Sequence, residues 1–282
     1  MSLYLVLALA SALLFGMWQF ALGQFRGRVP REIVLLGCCA ASAVVYLGLG
    51  LATGDFVVNS TDAFQGIAGG LLNVGGTLLV LKAYEMGRIG VITGVVASYA
   101  LVPLAYSFIL GESLSPMAFA GLVVIIFGLI IFYVPAATSR TQGESNSLRG
   151  ILIALLAAGL WGLAIIVLDL GTRVSLTGTM FMSQIPQLLV TLLIAFAINR
   201  VSVRPSGQAV GIMVGAGVAV ALAQGAFFTA ANEGDIGVVS VLGSLSPLVT
   251  ALLALWLLGE RMARLETAAL VAVVIGTGLL AL

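Results

Sequence analysis

The sequence contains no histidine and very little charge. Asp, Glu, Lys and Arg make up 8% of its 282 residues, against roughly 25% in a soluble domain. Without imidazole there is no His-based zinc site, no Ser-His or Cys-His nucleophile pair and no His proton relay. Only two cysteines occur, Cys38 and Cys39, adjacent and inside an apolar run. That spacing suits neither a disulfide nor a metal, and they read as small buried hydrophobes. A net charge of +1 offers no field for nucleic acid. Gly-x-x-x-x-Gly-Lys-Ser/Thr, Gly-x-Ser-x-Gly and His-Glu-x-x-His are all missing. ATP-driven work within the chain, hydrolase chemistry, a metal and a cofactor are therefore not expected.

What is present is hydrophobic, at 61% of residues. A chain this apolar cannot cover itself with polar groups, so lipid must be much of its solvent. A membrane-crossing helix needs about 20 apolar residues. Ten such runs occur, at about 3–22, 33–52, 63–81, 89–110, 114–134, 150–168, 178–198, 209–230, 236–258 and 265–282. None alternates as barrel strands do. Ala8-Leu9-Ala10 mimics a signal-peptide cleavage site, but no basic residue precedes the first run, so it reads as a retained helix. The Ser/Thr/Gly-rich stretch 138–148 reads as a linker between units 1–137 and 149–282.

Eleven of the twelve basic residues fall after the odd-numbered runs: Arg26, Arg28, Arg31; Lys82, Arg88; Arg140, Arg149; Arg200, Arg204; Arg261, Arg264. The other side holds only Arg173. Basic residues are retained in the cytoplasm. The odd connectors are thus expected inside and both termini outside, in a bacterial inner membrane.

The two units repeat. Leu110-Gly111-Glu112 returns as Leu258-Gly259-Glu260, at an offset of 148. Ile89-Gly90-Val91 returns as Ile236-Gly237-Val238, at 147. Gly128 returns as Gly276, and Leu14-Phe15-Gly16 aligns with Leu160-Trp161-Gly162 at 146. Five runs per copy is an odd number, so the second copy enters the membrane from the opposite side. The expected fold is an all-α polytopic membrane protein, ten helices in two inverted five-helix repeats, an architecture of many secondary transporters.

These features resemble the drug/metabolite transporter superfamily, specifically its EamA-type ten-helix permeases. The resemblance spans essentially the whole chain. It rests on Trp161-Gly162 in the first helix of a repeat, and on Pro247 followed thirteen residues later by Glu260. The first half departs from the pattern, with Phe15-Gly16, and with Tyr99 thirteen residues before Glu112 while the proline stands at Pro103. Such relatives are often described with both ends in the cytoplasm; the charge count here says the reverse. The resemblance implies a central cavity lined by helices 1, 3, 4, 6, 8 and 9, with 5 and 10 outside them.

Polar side chains are costly in lipid, so those inside the runs face protein or a water-filled space. Asn73 and Thr77 share a face of the third run. Gln224, at an offset of 147 from Thr77, continues through Phe228 to Asn232 at four-residue steps. With Trp18, Tyr99, Trp161 and Gln184 these are the candidate substrate-binding residues. Simple helix–helix bonding and core packing are the competing readings. Pro103, Pro186 and Pro247 read as mid-helix kinks that could serve as gates. Glu112 and Glu260 read mainly as structural helix ends, with Asp169, four residues before Arg173, as the third acid able to carry a coupling proton. The expected function is a secondary transporter that moves a small metabolite or drug by alternating access, with the bilayer and a solute as partners, as monomer or homodimer. A channel, a non-catalytic partner subunit and, further off, an intramembrane enzyme are the alternatives.

Overall fold

The computed structural model describes residues 2–23, 29–86, 92, 95–112, 115–138, 148–198 and 205–258, together with 265, 268, 271–272, 275–277 and 279. Among them every regular element is helical. The helices are α1 (Leu3–Gly23), α2 (Arg31–Thr53), α3 (Ser60–Met86), α4 (Leu101–Ile109, preceded by a 3₁₀ turn at Ala97–Ala100) and α5 (Pro116–Thr138). There follow α6 (Leu148–Thr172), α7 (Leu176–Leu192, continued as a π-helical turn Leu193–Ile198), α8 (Gly207–Glu233), α9 (Ile236–Gly243) and α10 (Ser246–Leu258). The expected linker and tenth span lie largely outside the described residues.

Local chemistry sets the helix ends. Gly54, at φ 73°, closes α2, and Gly111, at φ 83°, follows α4. Both occupy left-handed backbone that only glycine adopts without cost. Asn59 Oδ1 accepts from Asp62 N at the start of α3, and Ser206 Oγ accepts from Ala209 N at the start of α8. These are N-caps at positions 147 residues apart.

Six helices among the described residues are long and apolar enough to cross a membrane: Leu3–Ala21, Glu32–Thr53, Ser60–Ala83, Leu148–Thr172, Leu176–Ala197 and Gly207–Glu233. Large apolar side chains stand bare on them and their neighbours. Ile109 is 82% exposed, Trp256 79%, Phe64 71% and Val44 70%. A surface like this, spread over many helices, fits lipid and not water.

The packing obeys an exchange rule. Helix α3 lies on α6, and α1 on α8; α3 lies on α7, and α2 on α8; α1 packs on α9 and α10, and α6 on α4 and its 3₁₀ turn. Moving each span by five places turns one member of each pair into the other. The rule extends to single residues. A β-carbon on Gly16 would fall 2.5 Å from Val249 Cβ and 2.8 Å from Ser246 O. One on Gly162 would meet Val102 Cβ, and Tyr99 O at 2.8 Å. Gly217 seats against Cys38 O and Ala41, and Gly70 against Ser183 O and Pro186. Glycine at these four positions permits backbone contact that any side chain would block.

The fourth and ninth spans are not regular α-helix throughout their described residues. The fourth tightens to 3₁₀ at Ala97–Ala100; the ninth breaks at Ser244 and Leu245, where Leu245 N donates to Leu242 O at 3.1 Å. The two irregular stretches begin 147 residues apart, at the offset of the sequence repeat. Pro103 directly follows the 3₁₀ turn, as the third residue of α4, and Pro247 is the second residue of α10. In the first turn of α10 a missing N–H costs little. Pro186 does lie inside α7.

Candidate functional site

Around Trp161 the bundle gathers four of the sequence candidates. Gly76 on α3 leaves room for the indole, whose Nε1 donates to Asn73 O at 3.1 Å. Thr77 Oγ donates to the same carbonyl at 2.9 Å. Tyr99 meets Trp161 edge to face, with centroids 6.2 Å apart. A β-carbon on Gly243 would stand 3.0 Å from the Phe227 ring and 3.9 Å from Tyr99 Oη. Phe227 in turn packs edge to face on Phe228 at 5.1 Å. The 3₁₀ turn Ala97–Ala100 thus carries Tyr99 from the first half onto Trp161 of the second.

A second polar knot lies at the break of the ninth span. Gln19 Nε2 donates to Ser246 Oγ at 3.1 Å. Thr250 Oγ lies 3.0 Å from Gly16 O, 3.2 Å from Gln19 Oε1 and 3.1 Å from Ser246 O. Gln224 belongs to neither knot: its Oε1 lies 3.2 Å from Tyr46 Oη, which also donates to Ala221 O at 2.8 Å. Tyr46 is the last rung of a ladder. Cys38 Sγ, Ser42 Oγ and Tyr46 Oη, each one turn apart on α2, contact the carbonyls of Met213, Gly217 and Ala221 on α8. Gln19, Tyr46, Ser246 and Thr250 were not singled out from sequence, although an amide inside the first span was visible there.

The remaining candidates scatter. Trp18 touches Phe15 edge to face at 6.4 Å and packs with Ile33, Val34, Cys38, Ala209 and Met213. Trp161 packs instead with Val80, Ala83, Ile92 and Val96, so the two tryptophans line different clusters. Gln184 is buried, its amide 3.3 Å from Ser183 Oγ. Phe228 is core, whereas Asn232 is exposed at the end of α8, donating to Thr172 O at 3.1 Å. The Pro247 side chain and Glu260 lie outside the described residues.

The connectors after α2, α4, α6 and α8 meet at one end of the bundle. Ser175 and Thr177 bond Asp55, with Thr177 N donating to Asp55 Oδ2 at 3.0 Å. Asp169, 1% exposed, pairs with the half-exposed Arg173 at 2.9 Å. Ser107 Oγ lies 2.5 Å from Glu112 Oε2 and 2.7 Å from Asp235 Oδ1. Asp235 also caps α9, accepting from Val238 N at 2.9 Å. Its hydrogen-bonded carboxyl, with burial, pushes the Glu112 pKa upward; Ser107 and the Arg173 guanidinium pull it back. The described residues contain no group of three or more Cys, Asp or Glu side chains placed to hold a metal.

Residues 148–282 match the model of the EamA-like transporter family. No curated protein matches the sequence. Among solved structures, 29 chains are similar. One crystal structure, described only as that of a protein, aligns over 98% of this chain and 95% of its own, at a TM-score of 0.82 and 20% identity. At that identity the likeness shows the fold. Taken with the apolar helices, the match makes this a multi-pass membrane protein whose second half carries the EamA-like transporter signature, in keeping with the drug/metabolite transporter superfamily.

Proposed function

We propose that the chain is a secondary transporter that moves a small metabolite or drug by alternating access between two inverted five-helix units. The observation that carries this reading is the exchange rule of the packing. Two near-equivalent halves can trade conformations, so a state open to one side has a counterpart open to the other. Both knots, Trp161–Asn73–Tyr99 and Gln19–Ser246–Thr250, occur where the irregular stretch of one span meets the first span of the opposite unit. Broken helices at membrane depth are tolerated where they face protein or a cavity. Aromatic rings and amides together suit a neutral, zwitterionic or cationic solute. The family supports a membrane transporter of the drug/metabolite type and no enzyme. Orientation follows the basic residues: odd connectors in the cytoplasm, both termini outside, in an inner membrane.

The test is counterflow in liposomes. Ligands are first found by thermal shift of purified protein against amino acids, sugars, nucleobases and quaternary amines. Unlabelled ligand inside the vesicle should accelerate uptake of labelled ligand from outside. Flux that neither saturates nor responds to ligand on the far side would mean a channel and would end the carrier reading.

A further inference from the structure

We infer that Glu112 and Asp235 share one proton across the contact between the two halves, and that this proton fastens the end of α4 to the start of α9. Ser107 is 1% exposed, and its single hydroxyl faces two carboxylate oxygens, at 2.5 and 2.7 Å. One hydroxyl hydrogen satisfies one of them. With both acids ionised, the other oxygen would press on Ser107 with no hydrogen between, beside a second negative charge. With one carboxyl protonated, every short contact has its hydrogen, and the acids attract instead of repelling. Asp235 cannot turn away, because Oδ1 is held by Val238 N. The backbone cannot retreat easily either, since Gly237 sits directly on Leu104, where even a β-carbon would lie 2.8 Å from Cα.

The charges that act on Glu112 are Asp235, from the turn between α8 and α9, and Arg173, from the turn after α6. Arg173 is already paired with Asp169, so it only partly offsets the second acid. Glu112 is raised above the ordinary glutamate value of 4.5. The sign follows. An acid whose folded-state pKa is raised holds the contact while protonated, below that pKa, and releases it as pH rises through it. The contact is closed in acid and loosened toward alkaline pH. The proton sharing stands without the carrier reading; only its consequence rests on that reading, namely that the proton closes the even-connector end.

The test is infrared difference spectroscopy of the full chain in lipid, following the C=O stretch of protonated carboxyls with pH. The wild type should show a band that disappears only above the ordinary glutamate range. Glu112→Gln should lack it, and Asp235→Asn, which keeps the cap, should shift its loss to lower pH. Thermal midpoints should fall with rising pH across that window in the wild type and stay level in Glu112→Gln. A wild-type spectrum matching that of Glu112→Gln, or a titration unmoved by Asp235→Asn, would overturn the inference. If the band behaves as stated but counterflow fails, the shared proton stands and the carrier reading falls.

Discussion

The contact of α1 with the ninth span and that of α6 with the fourth share one backbone plan and differ in side-chain chemistry. Gly16 seats on Val249 and the Ser246 carbonyl; Gly162 seats on Val102 and the Tyr99 carbonyl. Over that common seat the first contact carries hydroxyls and an amide, Gln19, Ser246 and Thr250. The second carries aromatic rings, Tyr99 and Trp161, the indole N–H being directed to Asn73 O on α3. The glycine seats fix how the helices meet, while the surrounding side chains are free to specialise.

The largest expected effect comes from the aromatic rings. Trp161→Ala should cost about 3 kcal/mol, the low end for truncating a large aromatic, and abolish solute binding, whereas Phe15→Ala at the matching position should leave binding measurable. Thermal shift with and without ligand reads both. Equal effects would erase the proposed specialisation. Next come the seats. Gly16→Leu and Gly162→Leu should each cost about 1–3 kcal/mol or more through overpacking, in equal measure, seen as loss of monodisperse protein and lowered melting. Clearly unequal costs would break the shared plan. Tyr46→Phe, which strips the last rung between α2 and α8, should cost about 1 kcal/mol. Thr250→Val should be smallest, about 0.6 kcal/mol, yet weaken binding of a hydrogen-bonding solute while sparing an aromatic one.

Much of the scaffold could be read without coordinates, because membrane depth imposes a length on apolar runs and duplication imposes an offset. The 3₁₀ turn before α4 could not. Nothing in Ala97-Ser98-Tyr99-Ala100 distinguishes a 3₁₀ turn from an α turn. Trp18 and Trp161 look like partners in sequence, but the partner of Trp161 at the repeat offset is Phe15. Three residues of helix carry Trp18 about 4.5 Å along the axis and into another cluster. Asn73 was legible as a polar position, yet what the structure uses is its backbone carbonyl, which no side-chain pattern reveals. The Asp235 partner of Glu112 was hidden because the two lie far apart in sequence and meet only in the folded chain, beside Ser107.

The central claim is that the halves are oppositely oriented. Ser60 and Gly207 are both exposed, at the starts of α3 and α8, 147 residues apart in matching positions. Single cysteines placed at each, with Cys38 and Cys39 replaced by alanine, can be challenged in intact cells with a membrane-impermeant maleimide. The account predicts that Ser60→Cys is labelled from outside and Gly207→Cys only after permeabilisation. Labelling of both from the same side would contradict it.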